Sequence, residues 1–273
     1  MTDNGDITVV ISCFNYGQYL EEAVESALGQ DGGSPRVIVV DDGSTDPETV
    51  ATLDRLPAQV DVFRQENQGA SRARNAGLRR AATPYLLVLD ADDRLSDGAL
   101  RNLREPLDRD PALGFAYGHS CYFGEWEGVL RFPPYDPYRL LYRHIVGLSA
   151  LMRRELVEAT AGYDPEFEHY EDWEIWIHAL AEGWRGVQVE AVTLEYRRHN
   201  GSKFASDRVN YREWFRRIRT KHAALYQDKA LARDSDLGLL GRAAYRYFWG
   251  LRPIPASVEQ RAHALHWRRG KPD

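Results

Sequence analysis

The sequence predicts an α/β fold: a mostly parallel sheet flanked by helices, followed by a helical C-terminal extension. Through the first 110 residues, continuous apolar runs alternate with amphipathic stretches, and strands buried on both faces of a parallel sheet have such runs. The resulting order β-α-β-α-β-α-β favours parallel strands joined by right-handed crossovers. From Tyr211 onward the apolar residues recur at helical spacing.

The elements of the first half follow from these periodicities. We expect strand 7–13, helix 17–29, strand 36–40, a helix starting near residue 45, strand 60–63, helix 69–82, strand 85–89 and a helix carrying Leu100, Leu103 and Leu107. The second helix is expected to begin with a capping box of Thr45 and Glu48, with Pro47 in its first turn.

The second half is richer in aromatic residues. We expect strand 115–123, a Pro- and Tyr-rich loop at 132–138, strand 148–152, helix 154–160, helix 171–182 and one or two strands within 187–196. The chain is therefore divided into residues 1–205, with a nucleotide-binding half 1–110 and an acceptor half 111–205, and the helical extension 206–273.

An acidic cluster follows the most apolar predicted strand. Asp90, Asp92 and Asp93 come directly after the run Tyr85–Leu89, at the edge of the sheet where α/β proteins bind ligands. Clustered carboxylates suit Mg²⁺ or Mn²⁺, usually shared with a phosphorylated ligand. The alternative is a loop that only caps a helix starting near Ser96 or Asp97.

Composition excludes several classes of protein. The net charge of −6 gives no reason to expect nucleic-acid binding. Only two cysteines occur, Cys13 and Cys121, which indicates a reduced, cytoplasmic protein without a disulfide framework or zinc site. No apolar run has the length of a membrane span, and no secretory signal is visible.

Two common nucleotide-binding motifs are absent. The residues after the first strand, 14–17, are FNYG and lack the spacing of a dinucleotide fingerprint. The first lysine of the chain is Lys203, so no Gly-Lys-Ser/Thr phosphate loop precedes it. The remaining possibility is a site that binds a nucleotide through carboxylates and a metal.

Six segments then resemble the family 2 glycosyltransferases, which are inverting enzymes of the GT-A fold. They are residues 9–16 (VVISCFNY), 39–46 (VVDDGSTD), 67–77 (NQGASRARNAG), 89–93 (LDADD), 170–174 (YEDWE) and 196–202 (YRRHNGS). The resemblance covers about residues 7–203. One departure is Ser12-Cys13, where the family often has a proline.

The resemblance implies a role for each site residue. Nucleotide-sugar binding falls to Ser12, Phe14, Asn15, Asp42, Gly69, Arg72, Arg74, Asp90 and Ala91. Metal binding falls to Asp92, Asp93 and His199, general-base catalysis to Asp172, and acceptor binding to Glu171 and Trp173. Whether Asp93 is a ligand or only supports Asp92 is left open.

Physical chemistry agrees with these roles but allows plainer ones. Asp42 could accept a hydrogen bond from a ring N–H of uracil, thymine or guanine, and Phe14 offers a flat apolar face. Alternatively, Asp42 only organises its turn, Arg72 lies on a solvated helix face, and His199 is structural. Glu171 and Asp172 could simply stabilise a helix N-terminus.

Further candidates lie on the acceptor side. Trp126, Tyr135 and Tyr138 could pack against sugar rings, with ordinary core packing as the alternative for each. The basic amphipathic segment 208–225 could lie on an anionic membrane, cover the sheet or build a homodimer, and packing is the simplest explanation.

The sequence thus predicts an inverting, metal-dependent glycosyltransferase. The expected donor is a UDP-sugar, followed by dTDP- and GDP-sugars, and the acceptor hydroxyl belongs to a glycan, a lipid-linked glycan or a small molecule. The expected location is the cytoplasm, including the inner face of the membrane. Two alternatives are a polyprenyl-phosphate glycosyltransferase, which needs no base, and a catalytically silent sugar-nucleotide or glycan-binding protein.

Overall fold

The computed structural model describes residues 4–125, 127–199 and 211–251. Trp126, Arg208 and the extension after residue 251 lie outside these ranges, as do residues 200–202 of the last of the six segments. Within them no helix has the length and apolar character needed to cross a membrane.

The elements alternate as predicted through the first half. The strands are β1 (Ile7–Cys13), β2 (Arg36–Asp41), β3 (Val60–Arg64), β4 (Tyr85–Asp90), β5 (Arg94–Leu95), β6 (Leu113–Gly124), β7 (Gly128–Leu130), β8 (Leu151–Arg153) and β9 (Arg185–Arg198). The helices are α1 (Gly17–Leu28), α2 (Pro47–Arg55), α3 (Ala70–Arg80), α4 (Ala99–Arg109), α5 (Pro137–Tyr142), α6 (Arg154–Thr160), α7 (Glu171–Ala181), α8 (Tyr211–Lys221), α9 (Ala223–Gln227), α10 (Lys229–Asp234) and α11 (Leu239–Tyr245). A 3₁₀ turn at Asn4–Asp6 precedes β1, and a π-helix at Arg246–Leu251 follows α11.

The described strands form one sheet in the order β3-β2-β1-β4-β8-β6-β9-β5, with β7 paired to β6. The long pairings, β1 with β2 and β4, β2 with β3, and β6 with β9, are parallel. The shorter pairings through β5, β7 and β8 are antiparallel. The predicted mostly parallel α/β sheet is therefore confirmed.

The core lies in two layers, one on each face of the sheet. Side chains alternate along β1, so that Val9 joins the layer under α1 and α4 while Val10 joins the layer under α3, α5, α7 and α8. Helix α3 lies close to the sheet: a Cβ added at Gly77 would be 2.2 Å from Val10 Cγ1. This close approach fixes the position of the residues that α3 carries.

Three element predictions need correction. Helix α2 is capped by Asp46, whose carboxylate accepts from the Thr49 amide, and not by Thr45; Pro47 does lie in its first turn. Strand β8 begins at Leu151 because residues before it form a tight turn, Ala150 N to Leu148 O.

The third correction concerns the helix after the acidic loop. It begins at Ala99 behind Gly98, which has a left-handed backbone and provides no side-chain cap. The alternative in which the acidic loop merely caps this helix is therefore excluded.

Helix α8 is held inside the molecule. Its apolar residues Trp214, Phe215 and Ile218 are buried in the main core. The carboxylate of Glu174 on α7, fully buried, lies 2.7 Å from both Lys221 Nζ and His222 Nε2. The described apolar stripe of segment 208–225 thus serves packing, and it is not available to a membrane or a second copy.

Candidate active site

The site lies where the strand order of the sheet reverses. From β1 the chain proceeds outward to β2 and β3 and then returns to β4 on the other side of β1, and such a reversal opens a crevice at the carboxyl ends of the strands. Ser12 pairs with Asp90, and Cys13 pairs with Asp41. The ends of β1, β2 and β4 are therefore level, which brings the predicted Asp42 and acidic loop to one edge.

Asp42 is buried and already accepts three hydrogen bonds. Its Oδ1 accepts from Gln65 Nε2 at 2.7 Å and from the Gln68 amide at 2.9 Å, and its Oδ2 accepts from the Gly69 amide at 2.8 Å. An ionised carboxylate can accept about four such bonds. Asp42 thus organises the loop before α3, whereas its own turn is held by Asp41, which accepts from the Ser44 amide. The Asp42 carboxylate retains the capacity for one further donor.

The end of β1 presents an exposed ring beside a structural amide. Phe14 is 44% exposed, so one face of its ring is open to a ligand. Asn15, in a left-handed conformation with φ of 57°, uses its side-chain oxygen to accept from the amides of Thr45 and Asp46. Its observed contacts brace the loop before α2, while binding to a nucleotide stays a prediction.

The acidic loop gathers three carboxylates. Asp90, Asp92 and Asp93 each place an oxygen within 4.8 Å of the others. Burial and repulsion from Asp90 raise the pKa of Asp92, against the opposing effect of His199. Burial raises the pKa of Asp93 further, together with repulsion from Asp92 and Asp90. Such a cluster is stabilised by a bound cation.

The end of β9 closes over this cluster. His199 Nε2 lies 3.0 Å from Asp92 Oδ2, which fits its predicted place at the metal. The Arg197 amide donates to Asp93 Oδ1 at 2.8 Å, and its Nε donates to the Asp92 carbonyl at 2.8 Å. Asp93 is buried and already accepts this hydrogen bond from the backbone. The geometry therefore favours Asp92 as the more accessible ligand of a cation.

The two predicted arginines of α3 have different surroundings. Arg72 is exposed and reaches only the Gln68 carbonyl at 3.4 Å, as on a solvated helix face. Arg74 is buried and donates to Asp90 Oδ1 at 2.8 Å and to Glu171 Oε1 at 2.6 Å. Burial lowers the pKa of Arg74, but Asp90 and Glu171 outweigh burial and raise it overall.

Arg74 therefore joins the two halves of the site. Asp90 ends β4 in the nucleotide half, and Glu171 begins α7 in the acceptor half. The same short contacts connect the acidic loop to the helix that carries Asp172. Asp42, through the Gly69 amide before α3, and Asp90 and Glu171, through Arg74 on α3, are thus linked to the same helix.

The first turn of α7 carries the acidic pair Glu171 and Asp172. The Asp172 side chain is 25% exposed, and its Oδ1 accepts from the Trp173 amide at 2.9 Å. Burial raises the pKa of Asp172 to about 6; Glu171 adds to this effect, while His144 and Arg74 oppose it. A carboxylate with a pKa in this range can act as a general base near neutral pH.

The predicted acceptor contact of Trp173 is wrong. Its ring is fully buried, and its Nε1 donates to the Leu140 carbonyl at 2.7 Å, so no sugar can reach its face. Tyr138 is buried too, and the hydroxyl of the half-buried Tyr135 lies in the interior. Core packing explains these rings, and Trp126 lies outside the described residues.

Sequence reasoning missed four residues at the site. Gln65 binds Asp42, Arg197 holds the acidic loop, and His144 Nε2 lies 3.4 Å from Asp172 Oδ2. The buried Tyr163 ring lies 5.5 Å from the Arg74 guanidinium carbon. Arg197 belongs to the segment at 196–202 that drew attention, but His144 lies in a loop with no motif.

Comparisons with known proteins identify the family of the chain. A family model described as glycosyl transferase family 2 matches residues 8–160. The glycosyltransferase GlyG of Streptococcus pneumoniae is 34% identical over 120 residues, which are 42% of this chain and 40% of GlyG. WfaP of Escherichia coli, described as a UDP-Glc:alpha-D-GlcNAc-diphosphoundecaprenol beta-1,3-glucosyltransferase, is 26% identical over 73% of this chain and 80% of its own length.

A solved structure has the same fold. Residues 1–349 of Staphylococcus aureus TarS, crystallised in complex with UDP-GlcNAc, superpose with a TM-score of 0.67 at 19% identity, covering 88% of this chain and 70% of that one. The matches to the first three curated relatives span only 30 to 40% of the length of those proteins.

Proposed function

The chain belongs to glycosyl transferase family 2, and from that membership we propose that it transfers a sugar, with inversion, from a UDP-sugar to a hydroxyl acceptor. The observation that carries the proposal is the set of contacts around α3: the Gly69 amide donates to Asp42, and Arg74 pairs with Asp90 of the acidic loop and with Glu171, the neighbour of Asp172. From these contacts we infer one cleft that Asp42, the acidic loop and Asp172 share. One end of this cleft suits a nucleobase, the middle suits a diphosphate with its cation, and the far end suits an alcohol.

The nucleobase end fits uracil. Asp42 has the capacity for one more hydrogen bond beyond those from Gln65, Gln68 and Gly69, and a ring N–H of uracil is a donor of the right kind. The exposed Phe14 ring supplies an apolar face, and Ser12, level with Asp90, lines the same edge. TarS, which has the same fold, was crystallised with UDP-GlcNAc. The dTDP- and GDP-sugars follow as donors.

The residues of the acidic loop fit a divalent cation. The cluster of Asp90, Asp92 and Asp93 offers hard oxygen atoms within 4.8 Å of one another, which is the donor set that Mn²⁺ and Mg²⁺ accept. We assign Asp92 and His199 to the cation, with Asp93 beside them and Asp90 nearer the ribose. When bound, the cation neutralises charge on the departing diphosphate.

Asp172 is proposed as the general base. The acceptor oxygen bonds to C1 of the sugar as the bond from C1 to the diphosphate breaks, and Asp172 takes the hydroxyl proton. The raised pKa of about 6 leaves the carboxylate ionised at neutral pH and a stronger base than an ordinary aspartate. Glu171 Oε1 is held by Arg74, so its other oxygen is assigned to an acceptor hydroxyl.

The acceptor is proposed to be a glycan hydroxyl, on a lipid-linked carrier or a free glycan. WfaP, by its description, acts on a sugar linked to diphosphoundecaprenol. Residues 211–251 contain nine Lys or Arg and four Asp or Glu, in a chain of net charge −6. In this region Leu239 and Leu240 are 79% and 88% exposed. The exposed leucines of α11, in a region with a surplus of positive charge, support contact with an anionic membrane.

A cytoplasmic location at the inner face of the membrane is part of the same proposal. Cys13 and Cys121 are both free cysteines, as expected in a reducing compartment. A homodimer through the apolar stripe of α8 is not proposed, because that stripe packs inside the chain.

A thermal-shift screen tests the donor half of the proposal. Ligands that bind the folded state raise the melting temperature, so UDP is expected to stabilise the protein more than dUDP, dTDP, GDP or ADP, and only with Mn²⁺ or Mg²⁺ present. Stabilisation by ADP alone, or by none of the nucleotides with either cation, would contradict it. Transfer or hydrolysis of the donor then separates an enzyme from a silent sugar-nucleotide-binding protein.

A further inference from the structure

His144 lies against the carboxylate proposed as the base. Its Nε2 is 3.4 Å from Asp172 Oδ2, and the two side chains are only 28% and 25% exposed. His144 lies just after α5, in the acceptor half of the chain. No motif of the sequence marks it, and neither the donor site nor the cation site described above uses it.

The imidazole is held by a rigid support. It stacks on the Trp173 indole with ring centroids 6.2 Å apart and planes at 21°. Trp173 is itself fixed by its hydrogen bond to the Leu140 carbonyl, 2.7 Å long. The Tyr226 hydroxyl donates to the Leu141 carbonyl at 2.6 Å. The helix before His144 is therefore fastened to α7, which carries Asp172, and to α9.

The nitrogen that faces Asp172 is buried and has no hydrogen-bond partner. Unpaired polar atoms in a protein interior are uncommon and ask for an explanation. The separation of 3.4 Å is slightly too long for a good hydrogen bond, and catalytic hydrogen bonds are often long before the substrate binds. A small rotation of either side chain would complete the bond.

We propose that His144 is a positioning residue for the general base: it turns the Asp172 carboxylate toward the acceptor hydroxyl and favours its charged form. The inference rests on the proposed function only for the identity of the proton that Asp172 accepts. The contact between the two side chains is independent of that function.

The other charged groups near Asp172 either oppose its charged form or already pair with other carboxylates. Glu171, next to it on α7, opposes the charged form, and Arg74 from α3 favours it. The Arg74 guanidinium already binds Asp90 and Glu171, and Tyr163, buried near Arg74, adds a hydroxyl. Among the described neighbours of Asp172, His144 offers a ring nitrogen that does not already pair with another carboxylate.

Carboxyl ¹³C NMR of protein labelled at aspartate tests the contact directly. The Asp172 signal is the one that disappears in Asp172→Asn, and we expect its titration midpoint near pH 6, in line with the raised pKa of about 6. His144→Phe keeps the stack on Trp173 and removes the nitrogen, so the midpoint should rise by roughly one pH unit. His144→Gln, which retains a donor, should give a smaller rise.

A matched control uses the other histidine of this region. His178 on α7 lies 3.9 Å from Glu182 and not beside Asp172, so His178→Gln should leave the Asp172 midpoint unchanged. Circular dichroism of each variant verifies the fold. Equal midpoints in folded His144→Phe and wild type would overturn the inference.

The catalytic consequence is measured on hydrolysis of UDP-glucose and UDP-GlcNAc. We expect the acidic limb of the kcat/KM profile against pH to move upward in His144→Phe by the same amount as the NMR midpoint. If wild type hydrolyses a donor, Asp172→Asn does not, and His144→Phe keeps the wild-type profile, the inference fails while the proposed function stands. If wild type neither hydrolyses a donor nor transfers its sugar, the proposed function fails. The NMR titration then still decides whether His144 contacts Asp172.

Discussion

At the scale of residues, the site depends on carboxylates kept in different environments. Asp42 accepts three hydrogen bonds and can accept one more. Asp92 lies beside two other acids, Asp90 and Asp93. The Asp172 side chain is partly buried. The same chemical group can therefore receive a nucleobase, a cation or a proton. Burial and neighbouring charge decide which.

The buried environment of Asp172 should lower the free energy of unfolding at neutral pH, where the carboxylate is ionised. Its pKa is raised to about 6 in the fold and is about 3.9 in an unfolded chain, so between these values the folded state retains a proton that the unfolded state releases. Stability is thus lost as the pH rises from about 4 to 6. Asp172→Asn should increase the free energy of unfolding at pH 7.5 by about 1–3 kcal/mol.

Urea denaturation at pH 7.5 and at pH 3.5 measures this effect, which should vanish at the lower pH. Asp164→Asn is a control of opposite sign: burial raises the pKa of Asp164, but the hydrogen bonds from Lys221 and the Glu166 amide and the charge of Lys221 together outweigh burial and lower the pKa. That variant should be destabilised at pH 7.5, with the loss shrinking in acid. An Asp172→Asn protein less stable than wild type at pH 7.5 would contradict the raised pKa.

The acidic loop gives a second residue-scale prediction. Asp92→Ala removes the carboxylate beside His199, and UDP binding in the presence of Mn²⁺ should weaken by at least about tenfold because a charged ligand of the cation is lost. Calorimetry with UDP and Mn²⁺ measures this. The exposed Asp97 lies after the loop and outside the cluster, so Asp97→Ala should bind as wild type. Equal affinity in Asp92→Ala would remove Asp92 from the metal site.

Some residue contacts could be predicted from the sequence, and others could not. Asp90, Asp92 and Asp93 follow a buried strand, and that pattern alone places them at the ligand edge. The burial of Trp173 was not predictable, because an aromatic beside two acids fits a sugar pocket as well as a core. The contact of His144 with Asp172 joins two separate segments of the acceptor half, and no local pattern encodes it.

At the scale of elements, α3 sets the geometry of the cleft. Its N-terminus is tied to Asp42 through the Gly69 amide, and its Arg74 joins β4 to α7. The sequence predicted the helix to within two residues at either end. It did not predict the bridge made by Arg74, because the partners of a buried arginine depend on elements far along the chain.

The close packing of α3 on β1 can be tested at Gly77. A methyl group there would meet Val10 Cγ1 at 2.2 Å and Val40 Cγ2 at 3.1 Å. Gly77→Ala should therefore lower the free energy of unfolding by about 1–3 kcal/mol, despite the better helix propensity of alanine. Denaturant titration measures the change.

Gly241 in α11 is the matched control for this substitution. Its nearest neighbour to an added Cβ is Leu237 Cδ2 at 3.5 Å, an ordinary contact. Gly241→Ala should leave stability unchanged or raise it by up to about 1 kcal/mol. If Gly77→Ala is as stable as wild type, α3 does not depend on the close approach to β1.

At the scale of the whole molecule, strand order determines where the donor and acceptor sites lie, and charge distribution determines which surface could meet a membrane. The reversal between β1 and β4 opens the nucleotide crevice, and α7 brings the acids of the acceptor half to it. The parallel half of this architecture was predictable from periodicity. The pairing of β4 with β8 and of β6 with β9 was not, because the second half of the chain has short strands and long loops.

Contact with an anionic membrane is predicted at this scale. Vesicles of phosphatidylcholine with phosphatidylglycerol should sediment the protein, whereas phosphatidylcholine vesicles should bind it weakly. Replacing the exposed pair, Leu239→Ser with Leu240→Ser, should weaken binding by roughly tenfold or more. Val129, 42% exposed on β7, serves as the control, since Val129→Ser should bind as wild type. Equal sedimentation of the double variant would exclude this surface.

The central claim is that one cleft holds a UDP-sugar at one end and a proton acceptor at the other. It is tested most directly by comparing donor affinity and sugar transfer in Asp172→Asn with wild type, by calorimetry and by product formation with Mn²⁺ present. We predict a dissociation constant for UDP within about twofold of wild type and a transfer rate reduced by roughly 10²-fold or more. Transfer at the wild-type rate would contradict the account and favour an acceptor that is already anionic, such as a polyprenyl phosphate.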